Sequence, residues 1–210
     1  MTLIVILLAA AFLLAATAAV FARVNPAARD AMLLSLARNQ RLIAPRIIVV
    51  GDSLAACCPF GKLSLRPLGV LTLAKGGATL KEIGGQITRA RGIEARYLVI
   101  DGGLNDVLYH DAPLERIEHD FRALLAGLDA GATAIFTLMP HVADRAYSER
   151  IEAANRRMAA LCAEHGVGVL DLNPELSTGG VRRPEMTDDG LHFSARANEA
   201  WIAAVRRMMA

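Results

Sequence analysis

The sequence lacks a disulfide framework, a dense charged run and a rich supply of aromatic residues. Its three cysteines, Cys57, Cys58 and Cys162, are odd in number and two of them are adjacent, which excludes a cystine scaffold. No Cys/His cluster has zinc spacing, so a zinc finger is excluded too. The cysteines read as small, mostly buried hydrophobes, and their scarcity fits a reducing compartment. Lys and Arg number 23 against 21 Asp and Glu, a formal net charge of +2. These charges are dispersed, so nucleic acid has no electrostatic footprint on the chain. The doubled pairs Arg156–Arg157, Arg182–Arg183 and Arg206–Arg207 read as solvated faces. No internal repeat and no low-complexity stretch occurs.

Present instead is a charge-free opening, MTLIVILLAAAFLLAATAAVFA. As a helix rising about 1.5 Å per residue, it is long enough to cross a hydrocarbon core of about 30 Å. Residues 1–23 therefore read as a transmembrane anchor or an uncleaved signal segment, with a cleaved secretory signal as the rival. Arg23, Arg29, Arg38 and Arg41 follow the run. The charge rule then leans toward a cytoplasmic domain, and a periplasmic or secreted one is the alternative. Residues 24–45 predict a linker helix. Asn25 is its N-cap, Pro26 its first residue, and Met32, Leu33, Leu34 and Leu36 its apolar side.

From residue 46 to 210 strand and helix signals alternate, predicting one domain. Apolar, β-branched runs at 46–50, 69–74, 96–103, 133–140 and 167–172 read as strands buried on both faces. Helical patterns lie between them at about 54–57, 79–91, 113–129 and 146–165, and 195–209 closes the chain. The alternation predicts an α/β fold with a five-stranded parallel sheet and helices on both faces.

Ligands of such sheets bind beyond the carboxyl ends of the strands. The polar residues that follow each strand are therefore the candidates. They are Gly51, Asp52 and Ser53; Gly76, Gly77 and Thr79; Asp101, Asn105 and Asp106; Pro140 and His141; and the stretch TDDGLHFS at 187–194. Ser53 alone reads as a helix cap. As a nucleophile it needs a base, and the base needs a third group to hold its tautomer. Asp189 and His192 have spacing that lets a carboxylate reach Nδ1 and leaves Nε2 for Ser53. Asp188 competes with Asp189 for that place. Backbone N–H groups of Ser53 and Gly77, with the Asn105 amide, are candidate donors to an oxyanion. Gly76–Gly77 as a plain turn, and Asn105–Asp106 as a plain cap, remain the alternatives. Asp101 reads as support for the loop after the third strand. His110, His119 and His165 read as surface residues, His141 as a possible pocket residue, and Trp201 as helix packing.

The ordered set resembles a known family. GDSL at 51–54, GGATL at 76–80, GLND at 103–106 and DGLH at 189–192 are similar to the first, second, third and fifth blocks of the SGNH, or GDSL-type, hydrolases. The second block lacks the asparagine usual a few residues before its glycine, and Phe193 stands where proline is frequent. The G-x-S-x-G elbow of ordinary α/β-hydrolases is absent around Ser53.

The resemblance implies a flavodoxin-like three-layer α/β/α sandwich, preceded here by the N-terminal hydrophobic helix. It implies Ser53 as nucleophile, His192 as base, Asp189 as its partner, and Ser53, Gly77 and Asn105 as the oxyanion hole. No cofactor and no metal are implied. The expected activity is hydrolysis of a small-molecule, lipid or sugar ester, or a thioester. Transfer of the acyl group to a sugar or lipid acceptor is the alternative, as is a binding module without catalysis. Expected partners are the ester substrate and a membrane contacted through residues 1–23, with no nucleic acid.

Overall fold

Ile47 to Val50 are β-branched and fully buried, and they form the central strand β1 (Ile47–Val50). The structure, a computed structural model, describes residues 34–38, 45–65, 69–129 and 131–210. The expected anchor at 1–23 and most of the expected linker helix at 24–45 lie outside the described residues. Within that linker, residues 34–38 are helical, and Leu34 and Ala37 are buried. Among the described residues no helix is long and apolar enough to cross a membrane.

Strands β2 (Val70–Thr72), β3 (Tyr97–Asp101), β4 (Thr133–Thr137) and β5 (Gly168–Leu170) join β1 in one parallel sheet. Its order is β2-β1-β3-β4-β5. The register pairs Val49 with Thr72 and Val99, and Asp101 with Thr137, so the carboxyl ends of the strands meet along one edge. The fold class expected from the sequence is the one observed: a five-stranded parallel sheet flanked by helices.

Helices α1 (Ser53–Cys57), α2 (Leu80–Ala90), α3 (Leu104–Leu108), α4 (Leu114–Ala126), α5 (Ser148–Glu164), α6 (Asn173–Leu176) and α7 (Ala195–Met208) fill the connections. Helix α4 packs between α2 and α5, and its Phe121 meets Phe136 of β4 with ring centroids 4.7 Å apart. Helix α7 packs over β5, and its buried Trp201 sits edge-on to Phe60 and Phe193. The Trp201 indole N–H donates to Thr137 Oγ1 at 3.0 Å, which satisfies the one polar atom of a ring buried for its area. Trp201 is therefore core packing, as expected.

The strands are shorter than the apolar runs. Strand β3 stops at Asp101 because Gly102 and Gly103 turn to φ 151° and 104°. Strand β4 stops at Thr137, although Leu138 N–H still donates to Leu170 O at 2.9 Å. The short helices α3 and α6 were not anticipated. Nor was the hairpin of β6 (Ser177–Thr178) and β7 (Val181–Arg182), which turns through Gly179 and Gly180 at φ 57° and 78°. Two adjacent residues with positive φ suit a tight hairpin turn, and glycine takes that conformation without strain.

Candidate active site

The turn from β1 into α1 is held from the side. Gln86 of α2 accepts from Gly51 N–H at 2.8 Å and donates to Gly51 O at 2.9 Å, as a neighbouring strand would. Asp52 is the N-cap of α1 and accepts from Leu54 N–H at 2.9 Å. The cap reading of Ser53 is thereby corrected. Asp52 caps, Ser53 is the first helical residue, and its hydroxyl is free to turn elsewhere.

That hydroxyl lies 3.1 Å from His192 Nε2. His192 Nδ1 lies 2.6 Å from Asp189 Oδ2. Asp189 Oδ1 also accepts from the backbone N–H groups of Leu191 and His192 at 2.9 and 2.7 Å. The structure thus brings Asp189, not Asp188, to the ring. The bond from His192 chiefly, then the two backbone donors, hold the Asp189 carboxyl below the ordinary carboxylate range. An ionised Asp189 places the proton on Nδ1 and leaves Nε2 as acceptor for the serine O–H. Thr187 staples this loop, donating to His192 O at 2.7 Å and accepting from Gly190 N–H at 2.9 Å.

Ser53, Gly77, Asn105 and His192 line one open cleft of about 370 Å³. Gly76 and Gly77 do form a turn, and Gly77 takes φ 76°, which favours glycine. Gly103 in the left-handed region starts α3, and Asn105 follows in its first turn. The buried Asn105 amide donates to Ala78 O at 3.0 Å and to Asp52 Oδ2 at 3.2 Å. Its neighbour Asp106 is buried and accepts from Leu80 N–H at 3.0 Å, tying α3 to the start of α2. Asn105–Asp106 therefore joins three loops rather than capping one helix.

Beneath Ser53 lies a buried pair of acids. Asp52 and Asp101 are each 2% exposed. Burial first, then the adjacent Asp52 charge, push the Asp101 carboxyl well above its usual range, while Asp52 and Ala55 N–H groups counter weakly. Burial raises the Asp52 carboxyl too, so the pair resists carrying two bare charges side by side. Asp101 supports the turn from β1 into α1 from across the sheet.

The model of the GDSL-like Lipase/Acylhydrolase family matches residues 49–200. The chain belongs to that family. No curated protein matches it. Among solved structures, the chain is similar to a lipase/acylhydrolase from Enterococcus faecalis at 21% identity and TM-score 0.65, covering 78% of this chain and 95% of that one. It is similar to a GDSL-like lipase from Bacteroides thetaiotaomicron at 16% identity and TM-score 0.68, covering 81% and 93%. It is also similar to an acetylxylan esterase from Geobacillus stearothermophilus at 15% identity and TM-score 0.61, covering 79% and 94%. At such identities these structures share the fold. Membership in the GDSL-like family makes the chain a hydrolase of the acylhydrolase and esterase kind.

Other candidates in this acylhydrolase fall away from the cleft or change character. His110, His119 and His165 are exposed, as expected, although His110 reaches the wall of the Ser53 cleft. His141 is buried and lines neither cleft described here; its Nε2 faces Glu152 Oε1 at 3.4 Å. Cys58 and Cys162 are buried, and burial pushes both thiols up to about 12. Cys57 is exposed, because a five-residue helix has an outer side even next to the core.

The reading of Arg182 as a solvated residue is overturned. It is 2% exposed, and its Nη1 donates to Leu191 O at 2.6 Å. The signal available in the sequence was the Gly179–Gly180 turn just before it, which folds the basic pair back against the domain.

A second cleft of about 290 Å³ adjoins the first, and Tyr109 and Leu191 belong to both. Leu108, Val142 and Tyr147 give it an apolar wall, with Asp144 and Asp189 among its other lining residues.

Proposed function

We propose that the chain cleaves carboxylic esters or thioesters through an acyl-serine intermediate. The observation that carries this reading is the continuous chain Ser53 Oγ, His192 Nε2, His192 Nδ1, Asp189 Oδ2, with gaps of 3.1 and 2.6 Å. His192 Nε2 takes the hydroxyl proton as Ser53 Oγ attacks the acyl carbon. Asp189 holds the ring and stabilises the imidazolium. The oxyanion receives N–H groups from Ser53, Gly77 and Asn105. His192 then gives the proton to the departing alkoxide or thiolate, and the acyl group stays on Ser53. Water, deprotonated by the same nitrogen, releases the acid and restores the serine.

The adjoining apolar cleft supports substrates with an uncharged hydrocarbon arm, because its carboxylates disfavour an anionic one. The charge-free run of residues 1–22 supports a membrane anchor within residues 1–23, with the charge rule leaning toward a cytoplasmic domain. Fractionating the full chain beside a chain lacking residues 1–23 tests the anchor, and a C-terminal reporter tests the side.

Ser53→Ala tests the central reading. Turnover of p-nitrophenyl acetate and labelling by a fluorophosphonate probe are both expected to vanish while the fold survives. Wild-type rates from that variant would sink the assignment.

A further inference from the structure

Arg182 carries a charge into the interior of the domain. Burying an ion is costly unless it is fully paired. Yet among the described residues the Arg182 Nε and Nη2 atoms are buried without a hydrogen-bond partner. Burial lowers the guanidinium to about 10, with Asp101 and Asp189 opposing, so it remains a cation at neutral pH.

What it does touch is specific. Nη1 donates to the carbonyl of Leu191 at 2.6 Å. The guanidinium lies 4.5 Å from the centroid of the Phe193 ring. These are the residues on either side of His192. The anchor point is itself fixed. Arg182 sits in the β6–β7 hairpin, and its own N–H donates to Val142 O at 3.1 Å. Phe193 is pinned from behind by Trp201 at 5.4 Å.

We propose that Arg182 is a positioning residue. It clamps the peptide before His192 and the ring after it, and so keeps Nε2 aimed at the Ser53 hydroxyl. A planar guanidinium suits both contacts at once, since one edge donates and one face stacks. Asp189 orients the imidazole ring, and Arg182 orients the backbone that carries it. The inference rests on the acyl-serine reading, in which His192 is the base.

The test is a double-variant cycle on p-nitrophenyl ester hydrolysis, with folding followed by circular dichroism. Arg182→Met keeps the volume and removes the charge and the donors. It is expected to lower kcat by about 10²-fold, the scale of a misplacement near 1 Å, with KM nearly unchanged. In a His192→Ala background the same substitution is expected to cost nothing further, because there is no base left to position. An equal loss in both backgrounds assigns Arg182 a purely structural role and overturns the proposal. So does unchanged kcat in a folded Arg182→Met. If Arg182→Met does not fold, Arg182→Lys carries the same cycle. It keeps a charge but not the fork and the flat stack, so kcat falls at least about tenfold only where His192 is present. Wild-type kcat from the lysine variant overturns the proposal. A His192→Ala variant as active as the wild type overturns the acyl-serine reading itself, and is thereby distinguished from failure of the clamp alone.

Discussion

Asn105→Ala removes the one side-chain donor that the proposed oxyanion hole contains. Both hydrogens of the Asn105 amide are engaged, one with Ala78 O at 3.0 Å and one with Asp52 Oδ2 at 3.2 Å. A developing oxyanion competes with these acceptors for the amide hydrogens. An oxyanion donor is worth about 2.7–4 kcal/mol of barrier, or about 10²–10³ in kcat. Because that bond strengthens only as charge develops, KM changes little. The truncation also has a cost in the resting fold. Asn105 is 6% exposed, so Ala78 O loses its donor away from water, at about 1–3 kcal/mol. Asp52 Oδ2 loses the Asn105 donor as well, while Asp52 Oδ1 keeps Leu54 N–H at 2.9 Å. The assay is steady-state hydrolysis of p-nitrophenyl butyrate well below the melting temperature, with denaturant unfolding of the same sample. The expected pair is a kcat down by two to three orders of magnitude (about 10²–10³) and a modestly lowered stability. A folded variant with kcat within about threefold of wild type would remove Asn105 from the oxyanion hole and refute the reasoning.

Asp101→Asn keeps the shape of a carboxyl that burial and the neighbouring Asp52 push well above its usual range. The unfolded chain releases the carboxyl proton near about pH 3.9. The Asp101 contribution is therefore complete in acid and is lost as pH rises through the raised folded value. The melting temperature of Asp101→Asn should gain on the wild type as pH rises above about 4, and a constant offset would contradict this. Rates on p-nitrophenyl esters should climb with the length of the hydrocarbon arm, up to about fourfold per methylene, until the apolar cleft is full; a flat or falling series would disconnect that cleft from the substrate. Gly103→Ala forces a side chain into φ 104° and sets its Cβ 2.8 Å from Met139 Sδ. It should lose about 1–3 kcal/mol in chemical denaturation, and an unchanged midpoint would count against the required turn.

What could be read in the sequence was whatever a strand announces by its own residues. Ile47 to Val50 are apolar and β-branched, and the turn that follows carries Gly51, Asp52 and Ser53, so both the sheet and the turn that presents Ser53 were legible. His192 and Asp189 were legible because a carboxylate three residues before an imidazole meets it within one loop. The rest depends on tertiary partners that leave no local mark. Asp101 ends a strand in the ordinary way, and only the pairing of β1 with β3 brings it beside Asp52. Gln86 faces the sheet at a position where a helix usually buries an aliphatic residue, and nothing nearby in sequence says that Gly51 waits there. Arg182 is the sharpest case. Two adjacent arginines read as a wet surface, yet a strand alternates its faces, so the members of a pair part ways once the hairpin closes. Arg182 turns inward to Leu191 O while Arg183 stays partly open to solvent. The Gly179–Gly180 turn brings that strand back against the domain, which makes a glycine pair just before a basic pair the cue to search for in other chains. The same logic fixes what Arg182 can be replaced by. A solvated arginine tolerates lysine, glutamine or methionine alike, whereas a buried one that both donates and stacks tolerates none of them equally, and the ranking of those three variants in kcat separates the two descriptions.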